Sequence, residues 1–320
     1  MNNETRESHD LLVRPLLRAS PAAWGLGVVL ASIVAWGFYA WTVQARTGLG
    51  VTGMNGRVAW GLYITNFIFF IGISHVGALL SAILRLVHAG WRRPVTRMAE
   101  AITVFGLFVA MTQIPTDIGR PERVFSVFTL GLFQGRFNSP LIWDVLCVSI
   151  YFVVSITYLY LPMIPDLARL RDGRDNLPGW RRRLYTLLAV GYTGAPAQHR
   201  RLHTWITILS IAVIPIAVSV HTVVSWVFSM TLVPGWHSTI FGPYFVVGAI
   251  WSGIAALLIT MWVFRQVFGL QDYLRYKQFN LLSMLLLTLN LLYLYFTFAE
   301  YLTVFYGNEP ADMRVFNTLF

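Results

Sequence analysis

The chain has 320 residues, 56% of them hydrophobic and only 12% charged, against about 25% charged in a soluble domain. So large an apolar pool cannot all be interior, and the solvent for much of the chain is therefore lipid. The formal charge of +10 does not mark a nucleic-acid binder, because the arginines fall between apolar runs rather than along one groove.

Taken from the start, Met1 to Ser20 is mixed in charge and lacks the apolar core of a cleaved signal, although Leu11 to Leu17 suits a short interfacial helix. A membrane span takes about 20 mainly apolar residues. Seven runs qualify, at 24–43, 59–87, 99–118, 141–163, 204–229, 243–265 and 280–306, so the predicted class is all-α, a polytopic transmembrane bundle. Eighteen of the 24 Lys and Arg residues gather at one set of span ends and six at the other, which places the N-terminus in the cytoplasm. The connection from Pro165 to Arg201 is the longest and carries eight arginines suited to anionic headgroups. Pro94, Pro121, Pro140, Pro165, Pro196 and Pro243 are expected at or beyond helix ends, and Pro215 inside the fifth span as a kink.

Polar residues that ought not to face lipid concentrate toward one membrane face. On this topology Asp117 ends the third span and Asp144 opens the fourth, both near the outer face. His221, Glu300 and Tyr301 lie in the outer thirds of the fifth and seventh spans, and His75 lies near the middle of the second. Asn290, Tyr293, Thr297, Glu300 and Tyr301 form one helical stripe. Turning an ionised carboxylate to lipid costs about 2.5–3.5 kcal/mol, so these groups are expected to face inward. The inner half holds fewer such groups; His203, Arg85 and Arg265 sit near helix ends, where snorkelling accounts for them. Each outer group also has a plainer reading. His75 could join two helices, Asp117 could pair with Arg120, Glu300 could bond a serine or threonine, and Asp144 could sit as an acid at a helix N-terminus.

The residue types narrow the chemistry. There is no phosphate-binding glycine loop, and the seven histidines and single Cys147 show no metal-ligand spacing. A haem held by His75 and His221 is the main cofactor rival. Quinol oxidation suits the set better, because it needs a His or carboxylate near each hydroxyl to take two protons, and an apolar, aromatic-lined slot for ring and tail. Asp117, Asp144, His75 and His221 can supply the acceptors, with no haem or metal bound by the chain itself.

The blocks GRPER after the third span and SPLIWD opening the fourth resemble the NrfD-like membrane subunits, the polysulfide-reductase anchor family. NFIFFIGISHVGALLSAILRL, PDLARLRD, SVHTVVS and PGWHSTIFGPYFVVGAIWSG are most similar to the quinol-oxidising type of alternative complex III, ActC. This resemblance implies an N-terminal helix plus two four-helix bundles and a quinol site (menaquinol or ubiquinol) near the periplasmic face of a bacterial inner membrane. It also implies a polar chain for protons through each bundle. The implied partners are an iron–sulfur subunit on the periplasmic side, multihaem cytochrome c subunits and a second NrfD-like membrane subunit; no nucleic acid is involved. Carried over residue by residue, His75, Asp117, Arg120 and Asp144 bind the quinol, with Asp117, Asp144 and His75 catalytic. His221, Glu300 and Tyr301 form the proton path. Asp117 stands where close members carry a histidine, and Trp226 follows VVS where an Asp often comes one step later.

The expected division is 1–58 for the cytoplasmic segment and first helix, 59–203 for three spans of the first bundle with its loop, and 204–320 for the fifth to seventh spans. The last part completes the first bundle and starts a second that is incomplete in this chain. The alternatives are a quinone-reducing anchor of a molybdenum oxidoreductase or hydrogenase, a non-catalytic scaffold subunit, and a secondary transporter. No matching pair of broken helices supports the transporter.

Overall fold

The computed structural model describes residues 21–54, 61–119, 122, 125–126, 129, 133–135, 138–173, 177–230 and 238–319. Arg120 and the segment Leu11 to Leu17 lie outside the described residues. Among those described there are nine α-helices and no strand: α1 (Pro21–Thr47), α2 (Leu62–Leu86), α3 (Arg93–Asp117), α4 (Pro140–Asp172), α5 (Gly179–Leu188), α6 (Pro196–Ser229), α7 (Phe241–Val267), α8 (Tyr276–Gly307) and α9 (Pro310–Leu319). Seven of them, all but α5 and α9, are long and apolar enough to cross a membrane. The protein is an all-α polytopic membrane bundle.

The helices overrun the apolar runs mainly at the arginine-rich end. There α4 continues nine residues past position 163 to Asp172, and α6 begins eight residues before position 204. Hydropathy reads only the apolar stretch, whereas Leu, Arg and Ala continue a helix into the headgroup zone at no propensity cost. Pro165, expected at a helix end, is therefore inside α4, as is Pro162. Each removes one ladder donor, and in this stretch Arg97 Nη2 donates to the Pro162 carbonyl at 2.5 Å. Pro215 lies inside α6 as expected. The long connection after α4 is partly ordered as α5, held by Tyr160 Oη donating to the Leu188 carbonyl and Arg171 Nη2 to that of Tyr192.

Helices α2, α3, α4 and α6 form a closed ring, with α7 against α2 and α6, and α8 outside α7. Their packing makes two cores. Phe67, Ile71, Leu107, Val148, Tyr151 and Val220 fill the ring, while Val76, Leu84, Val95, Ile254, Leu257 and Leu282 join α2 and α3 to α7 and α8. Helix α2 is the hub, with thirteen buried residues, whereas α1 buries only Gln44. Gln44 fastens α1 to the ring: its Nε2 donates to the Thr116 carbonyl at 2.7 Å and its Oε1 accepts from Tyr63 Oη.

In lipid, helices gain nothing hydrophobic from meeting, so small residues that let backbones approach become decisive. Gly77 of α2 lies directly against α3, where a Cβ would fall on the Ala99 carbonyl and the Thr103 hydroxyl. Gly106 of α3 is similarly close to the Phe70 carbonyl, at 3.2 Å for an added Cβ, and Gly253 of α7 to Val76, at 2.7 Å. Gly77→Ala is therefore expected to lower stability by about 1–3 kcal/mol through overpacking. Gly37→Ala, in the open flank of α1 with nothing within 4 Å, should be neutral or slightly stabilising. Thermal unfolding of the two variants in detergent checks the contrast.

Candidate functional site

The second and fifth expected spans bring two histidines together in the ring. His75 of α2 and His221 of α6 are both fully buried, with their Nδ1 atoms 2.8 Å apart. His221 Nε2 lies 2.9 Å from the Ile71 carbonyl, which can only accept, so Nε2 carries a hydrogen. Its Nδ1 also lies 2.9 Å from the Ala217 carbonyl. The neutral pair is thus satisfied with His75 Nδ1–H donating to His221 Nδ1. When His221 gains a second hydrogen, Nδ1–H has both the Ala217 carbonyl and His75 Nδ1 as acceptors. His75 Nε2 is buried and has no hydrogen-bond partner. Metal–imidazole bonds of about 2 Å would hold the nitrogens about 4 Å apart across a metal, so these two rings cannot clamp a haem iron between them as placed.

The surroundings of the pair come from three other helices. Tyr151 of α4 meets the His221 ring edge-on at 5.7 Å and its hydroxyl donates to the Ser74 carbonyl at 3.2 Å. Phe245 of α7 lies 6.4 Å from the same ring. Beyond Phe245 is a cavity of about 320 Å³ between α2, α7 and α8, lined by Tyr244, Trp251 and Tyr293 and reaching the exposed Phe69. Thr103 of α3 completes the layer. Its hydroxyl donates to the Ser74 carbonyl at 2.7 Å and accepts from the Ala78 amide at 2.8 Å, bridging two groups that ordinarily pair with each other in a helix.

Asp144 is buried in α4, seven residues before Tyr151, hence on the same side and about 10 Å further along the axis. Its Oδ1 has no hydrogen-bond partner, and neither has Oδ1 of Asp117 at the end of α3. The two acids sit at the end of the bundle where residues 120–137 are mostly outside the description. Glu300 and Tyr301 are placed elsewhere. Glu300 Oε2 accepts from Ser238 at 2.7 Å and lines a separate cavity with Glu309 and Asp312, and Tyr301 stands against Phe316. The stripe on α8 does turn toward α7: Tyr244 bonds Thr297, and Trp251 stacks on Tyr293 at 5.2 Å.

A second polar layer in the ring went unread in the sequence. Glu100 is 1% exposed at the arginine-rich end, where the polar groups were expected to be few and accounted for by snorkelling. Ser81 Oγ donates to its Oε1 at 2.5 Å, and Arg85 and Arg97 approach its two oxygens at 3.5 and 3.8 Å. Tyr158 reaches Ser81 and, at 3.2 Å, Ser210. Arg85 is thus an ion-pair partner rather than only a snorkelling cation, and Arg265 Nε donates to the Leu274 carbonyl. Arg97 and Glu100 are three apart, but Arg97 lies outside the apolar run at 99–118, and only the helix Arg93–Asp117 brings the two into one element. No group of three or more His, Cys, Asp and Glu side chains gathers as a metal site among the described residues.

A ring of membrane helices with imidazoles and carboxyls buried inside defines a class of polytopic integral membrane proteins with a polar interior. The chain belongs to the polysulphide reductase NrfD family, whose pattern it matches over residues 50–313. It is 31% identical over 233 residues to a putative dimethyl sulfoxide reductase membrane subunit of Halobacterium salinarum, covering 72% of this chain and 49% of that one. It is 26% identical over 298 residues to a selenate reductase subunit of Mesobacillus selenatarsenatis, covering 91% and 67%. To an Hdr-like menaquinol oxidoreductase integral membrane subunit of Archaeoglobus fulgidus it is 24% identical over 241 residues, covering 75% and 50%. The chain thus spans about half to two thirds of these relatives. These relatives are named as subunits of oxidoreductases.

The histidine geometry makes a spectroscopic prediction. Nitrogen-15 NMR of histidine-labelled protein is expected to show His221 protonated at Nε2 and one hydrogen shared between the two Nδ1 atoms. A neutral pair with both Nδ1 atoms bare would contradict the link.

Proposed function

We propose that this chain is the quinol-handling membrane subunit of a redox complex. On this reading it takes protons from a lipid-borne quinol while the electrons leave to an iron–sulfur subunit docked over the Asp117–Asp144 end. The observation that supports the reading is the buried His75–His221 pair with His75 Nε2 unpartnered, together with the unpartnered Oδ1 of buried Asp144 and an aromatic cavity next to Phe245. Oxidising a quinol releases two protons and two electrons, so acceptors for both protons must be in place. Asp144 and His75 serve as those acceptors, with Asp117 and Arg120 positioning the head group. His221 draws the proton from His75 through the shared hydrogen. Glu100, joined to Ser81 and the arginines, is the next station toward the arginine-rich end, and Glu300 with Tyr301 belongs to a separate route over α8.

Two arrangements of the complex share this chemistry. The sequence blocks favour the alternative complex III type, with multihaem cytochromes c and a second NrfD-like subunit as partners. The names of the dimethyl sulfoxide and selenate reductase relatives favour an anchor that feeds a terminal reductase. Run backwards, the same groups would reduce a quinone. On the positive-inside rule the N-terminus is cytoplasmic and the Asp117–Asp144 end faces the opposite side.

Quinol turnover by the complex purified from membranes tests the reading. Asp144→Asn and His75→Ala are each expected to lower it by about 10²–10⁴-fold, the usual worth of a positioned proton acceptor, at unchanged helix content. Turnover that survives both substitutions would leave the chain as a scaffold. Reduction of cytochrome c rather than of an oxidised small molecule would favour the alternative complex III arrangement.

A further inference from the structure

At the end of the bundle opposite Asp144, the turn between α2 and α3, the tail of α4 and the turn before α8 enclose a cavity of about 770 Å³. Five arginines line it: Arg85, Arg92, Arg93, Arg97 and Arg169. The carboxylates that answer them are Asp166, in the lining, and Glu100, behind it. Arg97 lies 3.2 Å from Asp166 and 3.8 Å from Glu100, Arg169 lies 3.9 Å from Asp166, and Arg85 lies 3.5 Å from Glu100. Arg92 and Arg93 form no side-chain hydrogen bond or ion pair among the described residues, although Arg92 is half-buried. Burial first, then the neighbouring Arg85 and Arg93 charges, hold the Arg92 guanidinium below its usual value. Positive charge is thus concentrated in a concave site without enough negative charge to answer it. Apart from Thr96 and Tyr273 the rest of the wall is apolar, with Met98, Leu170 and Phe264 beside the guanidinium groups.

We propose that this cavity binds a phosphate-bearing anion, and that the phosphate belongs to the headgroup of an anionic membrane phospholipid. A guanidinium fork matches phosphate oxygens two at a time. Basic pockets between transmembrane helices, at the end where positive residues collect, are where such headgroups are held. The apolar wall favours the lipid over a free ion, because acyl chains can lie against Phe264, Met98 and Leu170 while the headgroup meets Arg92 and Arg93. The ion pairs already made by Arg85 and Arg97 leave those two as the arginines that gain a partner. The bound headgroup would join α2, α3 and α4 at this turn.

The test uses the full chain in a zwitterionic detergent–phosphatidylcholine mixture, titrated with cardiolipin or phosphatidylglycerol and read by native mass spectrometry and thermal unfolding. The wild type is expected to retain one anionic lipid per chain and to melt at a higher temperature when it is bound. At about 1 kcal/mol for each arginine, Arg92→Gln/Arg93→Gln should weaken that binding about thirtyfold and leave melting in phosphatidylcholine alone unchanged. Arg200→Gln/Arg201→Gln, two exposed arginines outside the cavity at the same end, remove equal charge and should leave retention intact. Equal loss in both double variants would overturn the proposal in favour of a diffuse basic surface. Inorganic phosphate that displaced the lipid and reproduced the stabilisation at millimolar concentration would overturn the assignment to a lipid.

Discussion

The approach of α2 to α3 at Gly77 is the constraint on which the rest of the bundle depends. Without a Cβ there, the two backbones come close enough for the Thr103 hydroxyl to reach into the α2 ladder between Ser74 and Ala78. That contact fixes α2 one turn from Ile71 and two residues from His75. With α2 held in register, the Ile71 carbonyl is available to orient His221, and Ser81 falls beside Glu100 two turns further on. In a bilayer, where every polar backbone group must be answered inside the protein, the Thr103 hydroxyl gives both the Ala78 amide and the Ser74 carbonyl a partner from α3.

Much of this architecture was legible in the sequence because lipid imposes a length and a composition on each span. The seven long helices occupy the seven apolar runs, and on α8 Tyr293 and Thr297 of the stripe meet α7 while Tyr301 is exposed. Helix ends were less legible, since arginine-bearing turns extend α4 and α6 without any apolar signal, and Pro165 was absorbed into α4 for that reason. The depth of individual residues was also obscured. His75 stands thirteen residues in from Leu62 and His221 eight residues before Ser229, so counting from span ends puts them at different heights. The helix ends are staggered, and the rings meet. Glu100 went unread because an acid close to an arginine-rich end looks like a surface residue, while the inward turn of α3 depends on glycine contacts that no local pattern reports.

The two ends of the ring are chemically unlike. Toward Asp117 and Asp144 the polar atoms are acidic and in part unpartnered, a surface suited to giving up or receiving hydrogen. Toward Arg85, Arg92 and Arg97 the charge is positive and in part balanced by Glu100 and Asp166. Between these ends lie two polar layers, one around Ser74 and His75 and one around Ser81 and Glu100, separated by two turns of α2, about 10 Å. Ala78 and the buried Ser155 lie in the interval, with the Thr103 hydroxyl at its edge, so the two layers are separated by little more than one polar-to-polar step.

The short nitrogen–nitrogen link in the ring has capacity for one. Two imidazoles joined through their Nδ1 atoms share a single hydrogen, and the other contacts of His221 are carbonyls that cannot take it up. On the proposed reading, a donor that sheds two hydrogens would therefore leave only one of them with this pair and need another acceptor for its companion.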